Sequence, residues 1–106
     1  MTKEYTPDLQ KLFLEMMLQN AESYLRVQNI YNPENFDRTL KEAAKFIHTH
    51  IDEHKAMPTS EQIKAVTNTE LKPVPDLTDN HYDWFMTEFE AFTRKQELER
   101  AILKCA

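Results

Sequence analysis

The residues best placed to do chemistry lie in one string, His50-Ile51-Asp52-Glu53-His54, which reads H-x-x-E-H. On a helix, His50 and His54 share a face, as the zinc ligands of some metallohydrolases do, and Glu53 would be the general base. A catalytic zinc ion also needs a third protein ligand and a cleft, and no third ligand has support in this sequence. The alternative is a structural role, in which His54 continues the apolar stripe of a helix and His50 flanks it, both partly buried. We therefore expect no tightly bound zinc, no cofactor and no hydrolase activity.

Composition excludes several other kinds of site. The chain has 106 residues and no glycine, where an average chain of this length holds roughly 7. A P-loop, a dinucleotide fingerprint and a glycine-rich kinase loop each need glycine, because the backbone must approach phosphate closely. The single cysteine, Cys105, can form neither an intrachain disulfide nor a cysteine-rich zinc site. We therefore expect a domain that is not an enzyme.

The charge balance bears on partners and location. Thirteen Lys and Arg against 18 Asp and Glu give a net charge of −5, whereas a surface that binds a nucleic-acid backbone is positive. Residues 57–63 are similar to the opening of a helix-turn-helix module, but the acidic, proline-broken residues after them offer no recognition helix. No apolar run approaches the roughly 20 residues that cross a bilayer, and the N-terminus lacks the apolar region of a signal peptide. We expect a cytoplasmic protein with no direct nucleic-acid binding and no membrane contact.

The first half of the chain is predicted to form three helices. Thr6 provides a capping hydroxyl ahead of a proline and an acid, which predicts the start of a first, largely apolar helix. Asn20 predicts a break before a short second helix, because asparagine tolerates the left-handed conformation that ends a helix. Apolar residues at intervals of three and four predict a third helix from Asp37. It should stop by Ala56, since Pro58 disfavours helical geometry in the residue before it.

The second half of the chain predicts two more helices and a loop. Thr59 opens a capping-box sequence for a short fourth helix, whose apolar contacts would be Ile63 and Val66. Residues 71–80 contain two prolines and no periodicity, which predicts a connecting loop. A last helix runs from about Thr78 nearly to the end of the chain. The fold class is therefore all-α, a compact orthogonal bundle of five or six helices that forms one domain over the whole chain, residues 1–106.

The last helix has two apolar faces. Phe85, Phe89 and Phe92 form one of them, which is the simplest candidate for the core face. The second is a stripe at seven-residue intervals with one further residue alongside: Trp84, Ala91, Leu98 and Cys105, with Ile102. Heptad spacing suits packing against another helix, and two stripes on one helix are hard to bury in a domain this small. We interpret Trp84, Ala91, Leu98 and Ile102 as a candidate protein-contact surface; the alternative is burial within the domain.

The order of these elements carries a family resemblance. The first half has a hydrophobic helix (LFLEMMLQN), a turn leading to Pro33-Glu34-Asn35-Phe36 and a long helix (DRTLKEAAKFIHTHIDEH). The second half has Met57-Pro58-Thr59 at the opening of a short helix and a long final helix with Glu99-Arg100-Ala101-Ile102. This order, over residues 8–106, resembles the N-terminal domain of DnaB-type replicative DNA helicases, in particular the versions carried by large tailed phages. The matched positions, such as Phe36, Ile47, Pro58 and Thr59, form no diagnostic motif.

The resemblance implies a compact all-helical domain without catalytic residues. In that family the domain forms a collar on a hexameric ring, and primase and helicase loaders dock on the collar, while ATP hydrolysis belongs to a following domain. The implied partners are therefore primase, a helicase loader and other helicase subunits, during DNA replication. The competing hypothesis is a free-standing helical adaptor or regulator that binds a partner helix on the Trp84 stripe. A reading frame that continues into a Walker A motif would favour the helicase.

Overall fold

A computed structural model describes the backbone of residues 5–105 and the side chains of residues 5–102. Within this range all regular structure is helical, and there is no strand. The elements are α1 (Pro7–Gln19), α2 (Ala21–Val27), a 3₁₀ turn (Pro33–Asn35), α3 (Lys41–His54), α4 (Ser60–Thr67) and α5 (Asp79–Cys105). The Cα radius of gyration is 13.6 Å, close to the roughly 13 Å expected of a compact domain of this length. The prediction of an all-α helical bundle is confirmed.

Two helix starts follow the local signals in the sequence. The Thr6 hydroxyl accepts a hydrogen bond from the N–H of Leu9 at 3.3 Å and caps α1. At α4, Thr59 Oγ1 accepts from the N–H of Gln62 at 3.1 Å, and Gln62 Oε1 accepts from the N–H of Thr59 at 2.9 Å. This is a complete capping box, as predicted, and each such cap contributes about 1 kcal/mol to the free energy of unfolding.

The break between α1 and α2 falls at Asn20, but for a different reason from the one expected. Asn20 has φ −144° and ψ 104°, which is extended backbone and not the left-handed conformation. Its side-chain oxygen accepts a hydrogen bond from the N–H of Glu22 at 3.0 Å. Asn20 is therefore the N-cap of α2, and the prediction of a left-handed C-cap was wrong. The same short side chain that tolerates left-handed geometry is also a strong N-cap.

The third helix begins four residues later than predicted, at Lys41 and not at Asp37. The Asp37 carboxylate accepts from the N–H of Thr39 at 3.0 Å and from its hydroxyl at 2.6 Å, which holds residues 37–40 in a turn. The N–H of Asp37 donates to Gln10 Oε1 on α1 at 2.6 Å. A short side chain that satisfies nearby backbone groups competes with the helix, so the turn replaces the first helical residues.

The ends of α3 and α4 both use left-handed residues other than glycine. Lys55 (φ 57°) ends α3 before Ala56, as predicted, and Asn68 (φ 59°) ends α4. On α4, Ile63 is fully buried, but Val66 is 65% exposed. The expectation that Val66 is a core contact was therefore wrong. The helix has only eight residues, and Ile63 is the one that is buried.

The core is built from aromatic rings where α1 meets α5. Phe85, Phe89 and Phe92 are buried, which confirms them as the core face of α5. Their ring centroids lie 5.9, 5.6 and 5.5 Å from that of Phe13 on α1, which has no exposed surface. Such aromatic pairs add about 0.5–1.5 kcal/mol each beyond the area that they bury. This cluster fixes α5 in place and so determines which residues of α5 face outward.

The loop predicted over residues 71–80 is present as far as residue 78, and it is tied to the core. Leu71 is buried, and the N–H of Lys72 donates to Glu15 Oε2 on α1 at 2.9 Å. The last helix starts at Asp79, one residue after the predicted Thr78. None of the helices among the described residues combines the length and the apolar character needed to cross a lipid bilayer.

Candidate protein-contact surface

The predicted contact residues lie together on the outer side of α5. Trp84 is 39% exposed, Leu98 61% and Ile102 59%, and Ala91 is also exposed. At 3.6 residues per turn, these four positions fall within about 40° of one another around the helix axis. The structure therefore brings the four residues to one face and leaves that face outside the core of this chain. The side chain of Cys105, the remaining member of the heptad pattern, lies outside the described residues.

The two ends of this face differ in how they are packed. The Trp84 ring lies beside Phe13, with 6.2 Å between ring centroids and 44° between ring planes. The Trp84 side chain therefore covers part of the core. Leu98 and Ile102 follow Thr93, the last residue of α5 that is buried among the described side chains, and more than half of each is exposed.

Tyr5 packs along one edge of this face, which the sequence analysis missed. Its ring lies 5.4 Å from that of Phe92, its hydroxyl donates to Glu88 Oε2 at 3.4 Å, and Lys95 Nζ lies 5.8 Å from the ring centroid. Glu88 and Lys95 fall between Trp84 and Leu98 in the sequence and share their side of the helix. Tyr5 therefore borders the stripe between Trp84 and Leu98, while Ala91 stays exposed. No local signal could have revealed this, because Tyr5 and Glu88 are 83 positions apart.

The histidine pair lies on the last turns of α3, with few other metal-ligating side chains nearby. The rings of His50 and His54 lie 4.6 Å apart, so they share a face as predicted. The side chain of His54 is 61% exposed, which contradicts the expectation of a partly buried stripe residue. Because α3 ends at this residue, the last turn lies beyond the packed part of the helix. Among the described residues, no group of three or more His, Cys, Asp and Glu side chains is arranged to hold a metal ion. The absence of tightly bound zinc stays a prediction.

A polar cluster that the sequence analysis did not single out joins α2 and α3. The Tyr24 hydroxyl and His48 Nδ1 are 3.0 Å apart, and the ring of Tyr31 stacks on His48 at 6.1 Å. Burial raises the pKa of both tyrosine hydroxyls, and nearby Asp52 raises that of Tyr24 further. Both hydroxyls therefore stay protonated near neutral pH, and that of Tyr31 donates to the carbonyl of Ala44 at 2.7 Å. The cluster links α2 to α3.

Comparison with protein-family models, curated proteins and solved structures finds no match for this chain. The function must therefore be inferred from the exposed surface of α5. Its most distinctive feature is the pair of exposed aliphatic side chains, Leu98 and Ile102, about one turn apart on α5. A surface of this kind can bind another protein by burying apolar area.

Proposed function

We propose that this chain is a non-catalytic docking and assembly module of a DnaB-type replicative DNA helicase. Its partners in this proposal are other helicase subunits, primase and a helicase loader, and its compartment is the cytoplasm, that of the host cell if the protein is encoded by a phage. The order of the elements supports the family, and the exposed face of α5 supports the role in protein contacts.

The observation that carries the proposal is the exposure of Leu98 and Ile102, 61% and 59%. Full burial of a leucine or isoleucine side chain contributes about 1.5–3 kcal/mol. Burial of the exposed part of each would therefore contribute about 1–2 kcal/mol to association, before the cost of ordering the interface. Single exposed aliphatic residues are common on protein surfaces, but two about a turn apart on one face form a patch that another helix can cover.

The test is a double substitution, Leu98→Ser with Ile102→Ser, in this chain. Association is measured by sedimentation and by pull-down with the helicase subunits and the primase encoded by the same genome. We expect the affinity to fall at least tenfold, which corresponds to about 1.4 kcal/mol, while the melting temperature stays within a few degrees. The matched control is Leu25→Ser with Val66→Ser, which removes two apolar side chains of similar exposure, 53% and 65%, on other helices.

Three results are possible. Loss of association in the Leu98 and Ile102 variant alone supports the proposal. Unchanged association in that variant overturns the assignment of this face. Binding to an unrelated helical protein, with none to helicase subunits or primase, would favour the free-standing adaptor.

A further inference from the structure

A groove runs along the crease between α2 and α5, on a side of α5 next to the one that carries Leu98 and Ile102. It consists of two cavities of about 70 and 360 Å³, both of which are lined by Arg26 and Met86. Along α5 the groove extends from Asp79 to Glu97, which at 1.5 Å per residue is about 27 Å. An α-helix of about 18 residues has that length.

The middle of the groove is apolar, with one polar atom that has no partner. Val27 is buried, and Ile30 and Met86 are half-buried against the core. Thr93, which lines the larger cavity, is 4% exposed, and its Oγ1 forms no hydrogen bond with any residue in the described range. Because the Thr93 oxygen is enclosed below the groove floor, a ligand in the groove meets the apolar side chains of Ile30 and Met86 instead.

Some of the charged side chains around the groove form ion pairs, and others do not. Its two arginines are each paired within their own helix, Arg26 with Glu22 at 3.2 Å and Arg94 with Glu90 at 2.7 Å. The acids at the two ends, Asp79 and Glu97, form no ion pair with any residue that the structure describes. The groove therefore presents an apolar centre with one acid near each end that no described cation pairs with.

We propose that this groove binds a basic amphipathic helix of a partner protein. The apolar face of that helix would pack on Ile30 and Met86, and a Lys or Arg near each end would approach Asp79 and Glu97. This is the helix-in-groove mode of recognition, in which apolar anchors give affinity and charges set orientation. The inference rests on the proposed function and deepens it, because the α2–α5 groove becomes a second contact surface of the module beside the Leu98–Ile102 face.

The probe is a pair of synthetic helical peptides of about 18 residues with the same leucine face. One carries lysine at its polar positions and the other glutamate, and binding is followed by fluorescence anisotropy at physiological salt. We expect the lysine peptide to bind at least tenfold more tightly. Asp79→Asn with Glu97→Gln should weaken its binding about three- to tenfold, since each exposed ion pair is worth up to about a fivefold change.

The matched control is Glu53→Gln with Glu70→Gln, which removes the same charge at exposed positions outside α2 and α5. This pair should change the affinity less than twofold. Equal weakening by the two pairs would show general attraction to an acidic surface and would overturn the proposal, as would equal binding of the two peptides. As a second measurement, Met86→Ala should weaken the lysine peptide severalfold, and circular dichroism must show an unchanged helix content; unchanged affinity in a folded Met86→Ala variant contradicts the groove.

The two proposals can fail separately. Leu98→Ser with Ile102→Ser should leave peptide binding unchanged, because neither residue lines the groove. If the lysine peptide binds in the groove but this variant still associates with helicase subunits, the assembly role of the α5 face is wrong and the groove stands.

Discussion

Trp84→Ala is the substitution that most directly measures how far the outer face of α5 belongs to the core. Trp84 is 39% exposed, so about three-fifths of its surface is covered within this chain, in part by the ring of Phe13 at 6.2 Å. A fully exposed tryptophan could be removed at almost no cost in stability, and a fully buried one could not. The observed position is intermediate, and it predicts an intermediate cost.

The magnitude follows from that coverage. Truncation of a fully buried Trp to Ala costs about 3–5 kcal/mol, so three-fifths coverage predicts a loss of about 2–3 kcal/mol. In a domain of this size, 1 kcal/mol lowers the melting temperature by about 4–8 °C. We therefore expect the melting temperature to fall by roughly 10–20 °C. Since domains of this size are stable by about 5–15 kcal/mol, the variant should still fold at room temperature.

The assay is urea unfolding followed by circular dichroism, with the midpoint and slope fitted for the wild-type chain and the variant. Leu98→Ala is the control on the same face, because its side chain is 61% exposed and its truncation should cost less than about 1 kcal/mol. A cost for Trp84→Ala below about 0.5 kcal/mol would show that the contact with Phe13 contributes nothing. A cost above about 4 kcal/mol would show that Trp84 is fully enclosed. Either result would refute the packing described for this face.

The remaining predictions concern the core, a cap, a carboxylate and the charge. Phe13→Ala should lower the free energy of unfolding by about 3–5 kcal/mol, because Phe13 has no exposed surface and contacts five aromatic rings. A thermal scan should show this as a lower melting temperature. Thr59→Ala should cost about 1 kcal/mol in urea unfolding, and Thr59→Ser should restore most of it, since serine also caps α4. Hydrogen bonds from Thr39 lower the pKa of Asp37 below its ordinary value of 3.8. The stability that Asp37 provides is therefore full above that value and lost as the pH falls through the lower folded pKa, so the deficit of Asp37→Ala in urea unfolding should shrink between about pH 5 and pH 2. The chain, with a net charge of −5, should bind a short DNA duplex no more tightly than micromolar at physiological salt, as measured by anisotropy.

Features that depend on neighbouring residues could be predicted without the structure. Thr6 and Thr59 cap helices because a capping hydroxyl reaches a backbone N–H only three residues away. The spacing of Phe85, Phe89 and Phe92 places them on one side of any helix, and the largest apolar stripe then becomes the core face. These are local or periodic signals, so they can be read without knowing where the chain goes next.

How much of each apolar stripe is covered depends on contacts between distant parts of the chain. Val66 and Ile63 both belong to a helical apolar pattern, yet one is 65% exposed and the other fully buried. Asp37 holds a turn and not a helix start, in a position fixed by Gln10 from α1, 27 residues away.

The candidate surface shows the same division between local and long-range causes. Helical periodicity aligned Trp84, Ala91, Leu98 and Ile102 on α5, because a fixed angle per residue decides which side chains share a face. Whether that face is open depends on what packs against it from elsewhere in the chain. Tyr5 packs along its edge from 83 residues away, and Phe13 lies beside Trp84. Leu98 and Ile102 are exposed because no described part of the chain covers them, which no spacing along the sequence can show.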